Sequence, residues 1–127
     1  DSYWMISLND EFIGVMSLND IQPTHRRCSW AFYIGEPDRR IIGGMVAPYV
    51  YRYVFEVMNF KKIIGEVMEG NDNVRNMHVL QGCREVGVYR DHIYKYGRYH
   101  DVYLYEMTDL DWEQRKEQYK HCTAPFE

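Results

Sequence analysis

Apolar residues fall in short runs of strand formers, broken by polar turns, and three stretches depart from that rhythm. Tyr3–Leu8 and Phe12–Leu18 flank the turn signal Asn9-Asp10 and predict a β-hairpin. The polar stretch Asn19–Arg27 contains Pro23 and reads as a loop. Cys28–Ile34 is a third strand, whose near-continuous apolarity predicts burial on both faces. A second loop, Gly35–Arg40, leads through Gly43-Gly44 into a helix over about Met45–Met58. There Tyr49, Tyr53 and Val57, with Val46, Val50 and Val54, follow helical spacing. Pro48 fits that helix's first turn, where a missing N–H costs nothing.

Phe60–Met68 is a further strand. Glu69–Asn73 turns the chain into a helix over about Asp72–Gln81, stopped by Gly82. Val88–Tyr94 and Tyr99–Met107 predict a second hairpin, with Lys95–Arg98 as its turn. Asp109 caps a short, mostly solvated helix to Gln118. The expected order is β-β-β-loop-α-β-α-β-β-α. A strand, a glycine loop, a helix and a parallel strand make one right-handed crossover. The remaining strands would be antiparallel, giving a mixed α/β fold. Neither a repeat nor a boundary divides the sequence, so residues 1–127 are expected to form one domain.

Composition narrows the function classes. The formal net charge of −4 leaves no basic footprint for nucleic acid. No run approaches the roughly 20 apolar residues that span a membrane, and no signal peptide is evident. Cys28, Cys83 and Cys122 lack paired spacing, which suits a reducing, cytoplasmic setting rather than a disulfide or zinc scaffold. The five histidines lack metal-ligand spacing, so no metal is expected. Twelve tyrosines suit sheet packing, and equally a cleft that is apolar at one end and wet at the other. The chain starts at Asp1 and runs straight into a strand, so a preceding segment is expected to be missing.

Several local motifs go further. Phe12–Leu18 reads x-Ile-Gly-x-x-x-Leu, and His25-Arg26-Arg27 precedes a strand ending Tyr33-Ile34-Gly35. Asn71 is followed by His78 and then Gly82-Cys83; Arg84–Arg90 and Tyr99-His100-Asp101-Val102 close the pattern. In this order the motifs resemble the GCN5-related N-acetyltransferases. The likeness is to the branch holding ribosomal-protein N-terminal, spermidine and nucleotide-linked amino-sugar acetyltransferases. It covers nearly the whole chain from the family's second strand onward, so that the first strand and first two helices would be the part expected to be missing.

The resemblance implies an acyl-CoA N-acyltransferase fold that uses acetyl-CoA as co-substrate for direct transfer to a primary amine. It implies that the strand Trp30–Ile34 carries the pantetheine arm, with the backbone at Ala31, Phe32, Tyr33 and Ile34 as the candidate contacts, having parted from the parallel strand Ile63–Met68. A backbone N–H there would stabilise the developing oxyanion. Arg39, Arg40, Gly43 and Gly44 would meet the pyrophosphate at a helix start. The family's glycine loop is incomplete here. Arg39 in its first slot puts Ile42 in place of the middle glycine, and Arg40 first puts Met45 in place of the last.

His78 stands where many relatives place a tyrosine acid, with Tyr89 and Tyr94 as fallback donors; the alternative is that His78 merely packs on its helix. Where relatives carry a glutamate base, this chain has Ser29, which leaves Glu66 and Glu69, or a water chain, as base. Asn71 could bond pantetheine or cap its helix. Cys83 would pack as a small apolar group. The hairpin residues Tyr89, Arg90, His92, Tyr94, Tyr96, Arg98 and Tyr99 could stack on a base and bind phosphate. A nucleotide-linked amino sugar is therefore the expected acceptor, with a peptide N-terminus or polyamine as alternatives. A degenerate domain that binds coenzyme A or a partner without turnover is a reading of another class. The exposed edge of the C-terminal hairpin could pair with a second copy.

Overall fold

The alternating segments pair into one six-stranded sheet in the order β1-β2-β3-β4-β6-β5. The computed structural model describes residues 2–8, 11–34 and 41–122. Its strands are β1 (Ser2–Leu8), β2 (Glu11–Gln22), β3 (Arg27–Ile34), β4 (Lys62–Met68), β5 (Arg84–Lys95) and β6 (Arg98–Thr108). Helix α1 is Ile41–Arg52, α2 is Asp72–Leu80 and α3 is Asp109–Arg115. Every strand pair is antiparallel except β3 with β4, the crossover through α1.

Strand side chains alternate between faces, and one face carries the core. Leu18 pairs with Trp30, Trp30 with Gly65, and Gly65 with Tyr105 across four strands. Tyr51 of α1 meets Trp30 edge-on at 6.0 Å, and Trp112 of α3 meets Tyr51 likewise at 6.0 Å. His78 of α2 lies 5.9 Å from Trp30 and 5.5 Å from Tyr105. All three helices therefore pack on the same face. On the other face lie Ala31, which is exposed, and Glu66.

Four expectations are corrected. The loop expected over Asn19–Arg27 is partly strand: β2 runs to Gln22, absorbing a register shift near Asp20, whose φ is 47°. β3 is not buried on both faces, because helices cover one face only and Ala31 is exposed. The first helix begins at Ile41 rather than Met45, so Gly43 and Gly44 belong to it. Pro48 consequently lies inside α1, not in its first turn. Lacking an N–H, it leaves the carbonyl four residues earlier without its helical partner. The helix then widens into a π turn over Tyr53–Val57, with Met58 N–H donating to the Tyr53 carbonyl at 3.0 Å.

α3 shows how closely local chemistry sets an element's start. Thr108 and Asp111 form a reciprocal capping box: each side chain accepts from the other residue's backbone N–H. The Trp112 indole then donates to Glu56 at 2.7 Å, tying α3 to the π turn.

Candidate active site

β3 and β4 are paired at Arg27↔Lys62, Cys28↔Ile63, Ser29↔Ile64 and Trp30↔Gly65, and no further. Past that point β3 stays paired with β2 as far as Ile34↔Gly14. β4 stays paired with β6 as far as Met68↔Val102. The two strands thus form a fork whose vertex is Trp30–Gly65. Inside it lies a cavity of about 390 Å³. Trp30, Phe32, Gly65, Val74 and His78 line it from the helical face, and Ala31, Glu66 and Met68 from the other. An opening lined from both faces is a passage through the sheet.

Among the described residues, the facing edges of the fork carry backbone donors and acceptors with no strand partner. Such groups want a ligand with amides of its own. The backbone at Ala31, Phe32, Tyr33 and Ile34 lies on one of these edges. Helix α1 follows β3 in the chain, and Gly43 sits in its first turn with Gly44 next. Backbone N–H groups of a first turn have no partner within the helix, and the dipole there is positive. Arg39 and Arg40 lie outside the described residues.

His78 is 3% exposed and faces the cavity. Its Nδ1 is buried without a hydrogen-bond partner. Burial pushes the imidazole down from its ordinary 6.5 to about 4, so the ring is neutral at physiological pH. That alters the chemistry expected of it. A neutral imidazole donates a hydrogen bond but is a poorer proton donor than an imidazolium. The ring is held by its helix: Arg75 donates to the Tyr105 hydroxyl and to Glu85, both at 3.0 Å, and its guanidinium lies 3.5 Å over the Tyr103 ring.

The two carboxylates expected nearby are separated. Glu66 is exposed and lines the cavity on the face opposite His78. Glu69 does not line it. Its carboxylate accepts from the Asp101 backbone N–H at 3.1 Å and from Arg98 at 3.3 Å, and its own N–H donates to the Asp101 carbonyl at 2.9 Å. Glu69 thus ties its own turn to β6 and stands apart from the cavity.

Asn71 occupies the N-cap position of α2 without making a side-chain cap bond, and it lines the cavity. Tyr89 and Tyr94 are turned to their own hairpin, packing against His92 at 4.7 Å and edge-on against Tyr99 at 5.0 Å, and neither lines the cavity. Lys95 and Tyr96 of the second hairpin do line it. Cys83 is buried beside the Tyr51 hydroxyl, 3.4 Å away, and burial pushes its thiol up to about 11. It packs against α1, and so high a thiol pKa leaves little thiolate at neutral pH.

Three cavity residues went unnoticed as functional side chains in the sequence: Trp30, Gly65 and Lys95. For Gly65 a signal was present, because a glycine inside a strand often marks a close approach. A Cβ on it would lie 3.4 Å from the Trp30 indole nitrogen and 3.6 Å from His78 Nε2.

The described fold superposes on solved structures. The spermidine/spermine N-acetyltransferase SpeG from Vibrio cholerae, in variant form, superposes with a TM-score of 0.80 at 22% identity. The match covers 89% of this chain and 69% of that one. A structure described as "Probable acetyltransferase" gives a TM-score of 0.73 at 23% identity, over 82% of this chain and 59% of that one.

The chain has the acyl-CoA N-acyltransferase fold.

That fold is the one the motif resemblance implied. The chain spans 59% of one of these structures and 69% of the other. No family model matches the sequence, and no curated protein matches it. Among the described residues no helix is long and apolar enough to cross a membrane.

Proposed function

We propose that this chain transfers an acetyl group from acetyl-CoA to a primary amine by direct attack, with no covalent enzyme intermediate. The fork between β3 and β4 carries the reading. Its unpaired strand edges suit the amides of pantetheine, and the start of α1 suits a pyrophosphate. Because the passage is lined from both faces, amine and thioester can approach each other from opposite sides. Asn71, with no cap bond of its own, is available to the pantetheine arm.

The roles divide by face. On the Glu66 side the amine must lose a proton, either to that carboxylate or to solvent. On the His78 side the thiolate departs. A free thiol has a pKa of about 8.5, so the leaving group needs stabilisation more than a strong acid. A neutral His78 supplies a hydrogen bond suited to that need.

The acceptor is proposed as a nucleotide-linked amino sugar. Lys95 offers a cation to a phosphate and Tyr96, in the same lining, an exposed ring to a base. A polyamine is the second reading, favoured by two facts. Glu66 is an exposed carboxylate at the passage, and Arg98 is paired with Glu69 and therefore less free for phosphate. A named structural neighbour also acts on spermidine and spermine.

Thiol release from acetyl-CoA, followed with a nucleoside-diphosphate amino sugar, spermidine and short peptides, tests the reading. Amine-dependent release, with the amine recovered acetylated, is expected. Acetyl-CoA binding without release on any amine would leave a coenzyme-binding domain that does not turn over.

A further inference from the structure

Trp30 has been given no part in the chemistry so far. We propose that its indole N–H is a second hydrogen-bond donor to the departing thioester sulfur, acting with His78 Nε2 in a space that Gly65 keeps free. The inference rests on the acetyl-transfer reading and assigns a further residue within it.

Three observations converge on the vertex of the fork. The point where a Cβ would sit on Gly65 lies 3.4 Å from Trp30 Nε1 and 3.6 Å from His78 Nε2, so both nitrogens flank one small space. Trp30 is 5% exposed and His78 3%, so both nitrogens belong to buried side chains. Buried indole and imidazole nitrogens usually find partners, as Trp112 does in donating to Glu56 at 2.7 Å. Third, both residues line the passage through the sheet. Two ring nitrogens beside one gap, in the cavity proposed for the thioester, have a natural ligand in the atom that gains charge there.

The step balances without a further reactant. The amine nitrogen forms a bond to the acetyl carbon, and the carbon–sulfur bond breaks with its electron pair left on sulfur. The amine's proton leaves on the Glu66 side. The sulfur needs hydrogen bonds while it departs and takes its proton from solvent afterwards. Two neutral N–H groups meet that requirement, with the His78 proton carried on Nε2. Gly65 is not needed for backbone conformation, since its φ is not in the left-handed region. Alanine would make ordinary contacts there and leave the strand intact, but its methyl would occupy the space between the donors.

The test is the indole ¹⁵N–¹H spectrum of the full chain, titrated with coenzyme A and with desulfo-coenzyme A. Its three tryptophan peaks are assigned with Trp30→Phe and Trp4→Phe. The Trp30 peak should shift with coenzyme A and stay close to its free position with the desulfo analogue. Trp30→Phe and Gly65→Ala should each lower kcat about tenfold or more, with KM for acetyl-CoA changed less than threefold. Equal Trp30 shifts with both ligands, together with wild-type kcat in Gly65→Ala, would overturn the role while leaving acetyl transfer standing. Absence of any coenzyme A binding would overturn both. Should Trp30→Phe fail to fold, the wild-type titration and Gly65→Ala decide alone.

Discussion

Trp30 and Gly65 are the last partners that β3 and β4 share. Each strand beyond them keeps only its outer neighbour, and the sheet acquires an opening without losing its continuity. A Cβ at Gly65 would lie 3.4 Å from the Trp30 indole nitrogen and 3.6 Å from His78 Nε2, and a larger side chain would crowd both. Gly65→Val should destabilise the fold by about 1–3 kcal/mol through overpacking. It should also weaken acetyl-CoA binding more than tenfold. Titration calorimetry on the folded variant checks this, and wild-type affinity would show that the ligand does not reach the vertex.

His78 gives the fold a pH dependence with a definite sign. Burial holds its pKa at about 4, against an ordinary 6.5. Between those values the unfolded chain binds a proton that the folded chain refuses. The stabilisation is therefore fully present above pH 6.5 and is lost as pH falls toward 4, by up to roughly 1.4 kcal/mol per pH unit. Urea unfolding at pH 7 and pH 5 should show that loss in the wild type and a smaller one in His78→Phe. The same variant should lower turnover more than it weakens acetyl-CoA binding. Unchanged turnover would remove His78 from the chemistry.

Glu69 should behave as a structural residue. Glu69→Ala removes the acceptor for Asp101 N–H and the partner of Arg98. A loss of about 1–2 kcal/mol is expected from the unpaired donor. Thermal melts should show it, while kcat of the folded fraction stays within about twofold. A collapse of kcat at full stability would return Glu69 to the list of bases.

The order of elements could be read from the chain because period-2 runs such as Tyr3–Leu8 and the 3.6-period valines of α1 are local signals. The fork could not. Whether β3 and β4 part at Trp30–Gly65 depends on register between segments more than 30 positions apart, and Ile63–Met68 reads as an ordinary strand. Pro48 misplaced the helix start, since proline is usually tolerated in a first turn while packing here holds it deeper. Glu66 and Glu69 looked alike in sequence. Only the pairing with β6 turns one toward the passage and the other into a clasp.

Glu66 bears on the acceptor. Glu66→Gln keeps the shape and removes the charge. With a polyamine, KM should rise several-fold while KM for acetyl-CoA holds. With an amino-sugar nucleotide the effect should fall on kcat through slower amine deprotonation. Steady-state kinetics with both acceptors separates the two readings, and no effect on either would take Glu66 out of the site.

Amide hydrogen exchange with and without acetyl-CoA is the most direct examination of the fork. Saturating ligand should slow exchange along residues 31–34 and 66–68, where the parted strands present unpaired edges, and at the first turn of α1. Protection confined to the opposite end of the sheet, around His25 and Lys62, or no protection at a concentration that saturates binding, would contradict the account.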